Sequence, residues 1–206
     1  MPRIVGIAFP MQRVKHFSME TQLAFAPAAT YRSLLAEPPV PLWRRLGIFM
    51  TVIAVAIPIM AVQRVTIGLV AATAIAWSFV LAIQLVLGTL VIASVPSRRV
   101  GLKRALDLWF AGHVPYCIWV LATAALMSNL SGGSLEMLIV LAIVPSMWTA
   151  AIVTTFCRIV LNSSRAGARW RAAIHLIAVW AVGLQYVALS VGGWFQITGS
   201  VSRLFE

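Results

Sequence analysis

Five stretches of the chain are almost wholly apolar: Leu46–Val62, Thr66–Ser94, Ala105–Ser128, Leu135–Leu161 and Ala172–Ser200. A helix needs about 20 apolar residues to cross the hydrocarbon core. The runs are continuous, whereas strands of a closed barrel alternate apolar and polar over about ten residues. The pattern therefore predicts five transmembrane helices. Short polar connections separate them: Gln63-Arg64-Val65, then residues 95–104, 129–134 and 162–171. Pro96 and Gly101 break the second connection, and Gly132-Gly133 makes the third a turn.

Ahead of the first span, Pro27 stands at a helix-starting position and Leu23, Phe25, Tyr31, Leu34 and Leu35 supply apolar side chains. This predicts a short amphipathic helix lying on the membrane surface. Glu37-Pro38-Pro39-Val40-Pro41 follows as a stiff, polyproline-like hinge. The first residues lack a secretory h-region with a cleavage site, so no signal peptide is expected. Met1, Met11 and Met19 are each a candidate start. The expected organisation is a cytoplasmic segment over 1–45 and a transmembrane domain over 46–206. The fold class is all-α: a polytopic membrane helix bundle.

Composition supports this class and narrows the functions. Of the 206 residues, 61% are hydrophobic and 10% charged. The mean hydropathy is +0.95. Soluble domains carry about 25% charged residues, so a soluble enzyme and a disordered tail are both excluded. The net charge of +11 sits in an apolar chain, unlike the basic face of a nucleic-acid binder, and no nucleic-acid partner is expected.

The charge gives an orientation instead. Cytoplasmic loops of membrane proteins collect Lys and Arg. With five spans and the N-terminus inside, 14 of the 16 basic residues fall on one side. Only Arg64 and Arg203 fall on the other. The expectation is N-in/C-out, multi-pass, in a bacterial inner membrane. Arg44, Arg45, Arg98, Arg99, Lys103, Arg104, Arg165, Arg169 and Arg171 are expected to meet lipid headgroups or to act as topology signals. Trp43, Trp109 and Trp170 are expected at the cytoplasmic interface, and Trp77, Trp119, Trp148 and Trp180 deeper.

Ionisable groups inside a bilayer are costly and are candidates for function. Asp107 opens the third span beside Lys103 and Arg104, which neutralise it; Glu136 opens the fourth. His113 lies deeper, in Ala111-Gly112-His113-Val114-Pro115, where Pro115 disrupts the helix. Cys117 shares its face, four residues on. His175 lies in the fifth span at similar depth, so the two histidines are placed to approach one another. Pro145 and Ser146 are expected to interrupt the fourth span. Thr149, Thr154, Thr155, Gln84, Gln185 and Gln196 complete the polar set, as hydrogen-bonding glue between helices. The candidate polar site is therefore His113, Pro115, Cys117, Pro145 and His175. No metal site and no cofactor are expected, although two facing histidines are also the ligand set of a b-type haem. Cys117 and Cys157 are expected as free thiols in a reducing compartment.

No phosphate loop, Gly-x-Ser-x-Gly, His-Glu-x-x-His or Cys-x-x-Cys motif is present, so no catalytic residues are assigned. Three elements resemble the Yip1-domain membrane proteins over roughly Leu23 to Ser190. They are Ala-Pro-Ala-Ala-Thr-Tyr-Arg-Ser-Leu-Leu at 26–35, Gly101-Leu102-Lys103-Arg104-Ala105-Leu106 with Pro115 in the following span, and Met147-Trp148 followed by Ser164-Arg165. The resemblance implies a non-catalytic membrane protein that organises partners or lipids. The expected function is a scaffold or accessory subunit. Its partners would be lipids, other membrane proteins in a larger complex, or further copies of itself. A small-solute transporter or channel and a haem electron carrier through His113 and His175 are the alternatives.

Overall fold

A computed structural model describes the backbone of residues 19–127 and 135–202. The expected turn at Gly132-Gly133 and the starts at Met1 and Met11 lie outside the described residues. Among these, every regular element is helical. A short 3₁₀ turn, Gln22–Ala24, leads into α1 (Pro27–Ala36). The remaining helices are α2 (Leu42–Val62), α3 (Ile67–Ala76), α4 (Ser78–Ala93), α5 (Leu102–Ala111), α6 (Val114–Met127), α7 (Leu135–Ile159) and α8 (Arg165–Ser202).

Three lengths are long and apolar enough to cross a membrane: Leu42–Met60, Ile67–Ala93 and Leu102–Leu126. They coincide with the first three expected spans. The fourth appears among the described residues as a shorter apolar helix, Ile143–Ile159. The first span starts earlier than expected because Pro41 sits just before the helix, where a missing N–H costs nothing. Arg44 and Arg45 thus belong to the helix rather than to a preceding tail.

Local chemistry explains the breaks. Gln63 adopts a left-handed conformation (φ 54°) at the end of α2 and closes the tight turn expected there. Thr66 then caps α3, its Oγ1 accepting from the Leu69 amide at 3.2 Å. The third span is divided at Gly112–His113, as the Gly-His-Val-Pro pattern predicts, because Pro115 has no amide to give to the previous turn. The second span is also divided, at Trp77 (φ −100°, ψ 5°), which no residue pattern signals. Conversely, α7 runs through Pro145 without interruption, correcting the expected break. Neighbouring helices and side chains can satisfy a proline-freed carbonyl in such a helix.

Three arginines gather the helix ends at one end of the bundle. Arg45 of α2 pairs with Glu20 at 2.5 Å and with Asp107 of α5. Arg104 pairs with Asp107 and donates to the carbonyls of Leu34 and, at 2.6 Å, Glu37. Arg171 of α8 donates to Ser94 Oγ at 2.6 Å and to the Ser94 carbonyl at 2.9 Å. It also donates to Ser163 Oγ and the Gly167 carbonyl, both at 3.1 Å. These three were expected at lipid headgroups. Arg45 is instead buried, and Arg104 and Arg171 are partly buried on protein acceptors. Lys103, Arg99, Arg165 and Arg169 remain exposed, and Arg44 and Arg98 are half-buried.

The densest core lies at this basic end. Leu23, Tyr31 and Leu34 of the N-terminal segment pack with Ile92, Leu108, Trp109, Phe156, Val160 and Leu161. Helix α1 therefore turns its apolar face into the bundle rather than onto lipid. Each such side chain contributes about 1.5–3 kcal/mol by leaving water. The Trp148 indole N–H donates to the Ala24 carbonyl at 2.8 Å and fixes the segment on α7. Trp43 and Trp170 are exposed at the same end. Trp109, expected beside them, is instead buried at 2% exposure. It lies two turns inside α5, on the helix face that α4 and α8 cover.

Candidate functional site: a polar floor under an aromatic cavity

Beyond the dense core, the helices leave a cavity of about 370 Å³. Its walls are Phe49 and Met60 from α2, Trp77 at the α3–α4 break, Tyr116 and Trp119 from α6, and Trp180 and Gly183 from α8. Ser146 and Thr149 of α7 and Thr123 of α6 add hydroxyls. Gln84, His113 and His175 also line it, where it meets the core. No Asp, Glu, Lys or Arg lines it among the described residues. Ligand pockets fall in the range of about 300–1,000 Å³ and combine apolar walls with a few convergent polar groups.

Both helix breaks face this space. Trp77 and His113 sit where the second and third spans lose a turn of regular hydrogen bonding, and both line the cavity. Irregular backbone at membrane depth is tolerated where it is packed in protein or borders a cavity.

The polar groups form one network. His113 Nδ1 lies 3.0 Å from the Trp109 carbonyl. A carbonyl only accepts, so Nδ1 carries the proton. The Nε2 atoms of His113 and His175 each lie 3.1 Å from Gln84 Oε1. Gln84 is thus the shared partner of two imidazoles from different helices. With Nδ1–H committed, a neutral His113 offers Nε2 only as an acceptor. Gln84 Oε1 as placed accepts from a protonated Nε2; the neutral ring requires the amide to turn, so that its NH₂ group faces His113 and its second hydrogen serves His175. His175 Nδ1 has no hydrogen-bond partner. Its ring meets the Trp109 indole edge-to-face, at 5.0 Å and 89°.

Aromatic packing fixes the histidines. Phe49 stands edge-on to His113 at 5.6 Å, and Phe110 stacks on it at 5.4 Å. His113 is 5% exposed and His175 2%. A second, smaller cavity of about 50 Å³ also borders His113. It is lined by Glu20, Arg44, Arg45, Phe49, His113 and Cys117, among others. His113 and Phe49 therefore border both spaces.

No protein-family model, curated protein or solved structure matches the chain.

The expected site residues divide accordingly. His113, His175 and Pro145 line the large cavity together. Pro115 is fully buried and acts on the backbone break. Cys117 borders the smaller cavity, and Cys157 is buried in the dense core. Both cysteines are free. Sequence reasoning counted Gln84 as general helix glue and missed its place between the histidines. A lone amide inside a long apolar run is the signal that marks it. Glu20, in the expected cytoplasmic segment over 1–45, carried no signal at all.

Proposed function

We propose that this chain is a non-catalytic, multi-pass protein of the bacterial inner membrane that binds a membrane-soluble ligand inside its helix bundle. It serves there as an accessory or lipid-binding subunit. The observation that carries the reading is the uncharged aromatic cavity of about 370 Å³ with Gln84 and His175 at its floor. A charged solute entering such a site would lose its hydration without a counter-ion. A neutral ring or chain with one hydrogen-bonding end keeps its apolar body against Trp77, Trp119 and Trp180 and its polar end on Gln84. Five spans with the N-terminus inside fit the one-sided basic residues and the gathering of helix ends by Arg45, Arg104 and Arg171. A Yip1-like affinity is supported by helix α1 standing ahead of the first span.

The test is fluorescence of the full chain in lipid nanodiscs. Menadione, a neutral membrane-soluble carbonyl probe, is expected to quench tryptophan in a saturable way. Naphthalenesulfonate, a charged ring of similar size, is expected to quench weakly and linearly. Linear quenching by both would contradict the reading.

A second reading, a small-solute carrier, is favoured by the two helix breaks at Trp77 and His113, since broken helices border transporter sites. It differs in one outcome: solute flux into vesicles that is lost in His113→Ala.

A further inference from the structure

We propose that His113 and the Gln84 amide form a proton-operated selector, which changes the floor of the large cavity from a hydrogen-bond acceptor to a donor. This rests on the ligand-binding reading of that cavity.

One nitrogen of His113 is free to change. Nδ1 of His113 is held by the Trp109 carbonyl at 3.0 Å, so only Nε2 can gain or lose a proton. Nε2 faces Gln84 Oε1 at 3.1 Å, the arrangement that a protonated Nε2 satisfies. When Nε2 is bare, it needs the NH₂ end of Gln84. When Nε2 carries a proton, it needs the carbonyl end. The terminal torsion of glutamine is broad and roughly two-fold, so the amide can turn over in place. Gln84 also lines the cavity, and the end not facing the histidines is the end offered to a ligand. Neutral His113 thus leaves a carbonyl acceptor for a hydroxyl-bearing ligand. Protonated His113 leaves an NH₂ donor for a carbonyl-bearing one.

His175 follows the same turn. Its Nε2 accepts from Gln84 in the first arrangement and donates in the second, a change of tautomer. Its unpartnered Nδ1 leaves it free to make that change.

His113 and Gln84 both line the large cavity, which has room for water that carries the proton to Nε2. The surroundings of His113 are otherwise neutral. Phe49 faces it from α2, with Arg45 a turn back and already paired with Glu20 and Asp107. From α4 there is Gln84, and from α8 His175. From its own span come Cys117 and Tyr116, and Asp107 held by Arg104. Ser146 and Thr149 of α7 border the same cavity. Proton and ligand are then linked reciprocally, each changing the affinity for the other by the same factor.

The experiment is nitrogen-labelled NMR of the full chain in nanodiscs, in a His16→Gln background that leaves two histidines. His175→Gln assigns the rings. At neutral pH, His113 should show Nδ1–H and a hydrogen-bonded, unprotonated Nε2. On acidification Nε2 should gain its proton, and the Gln84 side-chain amide signals should move with the same midpoint. Menadione affinity should rise about tenfold across that midpoint, within the usual range of coupling, and stay flat in Gln84→Leu. An Nε2–H tautomer at neutral pH, a Gln84 amide that does not follow His113, or a menadione affinity independent of pH would each overturn the proposal. Absence of any menadione binding would overturn the cavity reading alone, and the NMR would still decide the selector.

Discussion

The indole of Trp109 lies where a side chain at position 88 would be: a Cβ on Gly88 would stand 2.7 Å from Trp109 Nε1 and 2.9 Å from its Cδ1. Glycine at this point of α4 lets α5 approach closely enough for Trp109 to reach His175 and Phe156. Gly88→Ala gains helix propensity of about 1 kcal/mol. It also forces a rigid, buried ring to move, and overpacking of that kind costs about 1–3 kcal/mol. The clash is expected to win, with a lower midpoint in chemical denaturation. Trp109→Phe removes the clashing edge and should make the double variant less destabilised than the two single effects summed.

The ion cluster gives a second prediction. Arg45 is buried between Glu20 and Asp107. Removing one partner of a buried pair costs about 3–5 kcal/mol, because the other charges stay buried. Arg45→Met should destabilise on that scale. Arg104→Met should do less to global stability, since Asp107 keeps Arg45. It should instead free the end of α1, whose Leu34 and Glu37 carbonyls Arg104 holds. Hydrogen exchange over residues 27–37 is the measurement, and faster exchange is the expected result.

These two relationships show what the sequence reveals and what it hides. The first three spans follow from uninterrupted apolar runs, and the break at His113 from Gly112 and Pro115. The approach of His113 and His175 to one partner follows from similar depth in two apolar runs. Arg45 was read as a headgroup residue because a basic residue at a helix start looks the same whether it faces lipid or protein. Its partner Glu20 lies 25 residues away, and helix periodicity carries no such distance information. Trp109 was placed at the interface for the same reason: its burial depends on Gly88, which belongs to another helix. The Pro145 expectation failed because proline disrupts a helix only where its neighbours do not compensate.

Tyr31 supplies a pH prediction. Burial at the basic end raises its hydroxyl above the ordinary value of 10. The unfolded chain ionises Tyr31 first. The group's contribution to stability is therefore complete below pH 10 and is lost as pH rises beyond it. In a Tyr116→Phe, Tyr186→Phe background, ultraviolet difference absorbance should show no phenolate until the protein unfolds. Tyr31→Phe should flatten the alkaline loss of stability.

The Gln84 network predicts a coupling. Hydrogen bonds between membrane helices average about 0.6 kcal/mol, with a maximum near 1.7. Because Gln84 serves two histidines, a double-mutant cycle of Gln84→Leu with His113→Phe should give coupling above that average. The same cycle with His175→Phe should give a similar value. Coupling near zero in both would mean that the three side chains do not share one network.

The most direct test of the ligand site uses Gly183. It lines the large cavity, and a Cβ built there meets nothing within 4 Å. Gly183→Leu should fill the space without disturbing the helices. Menadione titration of this variant in nanodiscs, followed by tryptophan fluorescence, is the decisive measurement. Saturable quenching is expected in the wild-type chain, with at least about tenfold weaker binding in Gly183→Leu, the cost of about 1.4 kcal/mol of lost contact. Equal affinity in the two proteins would rule out the cavity as the ligand site.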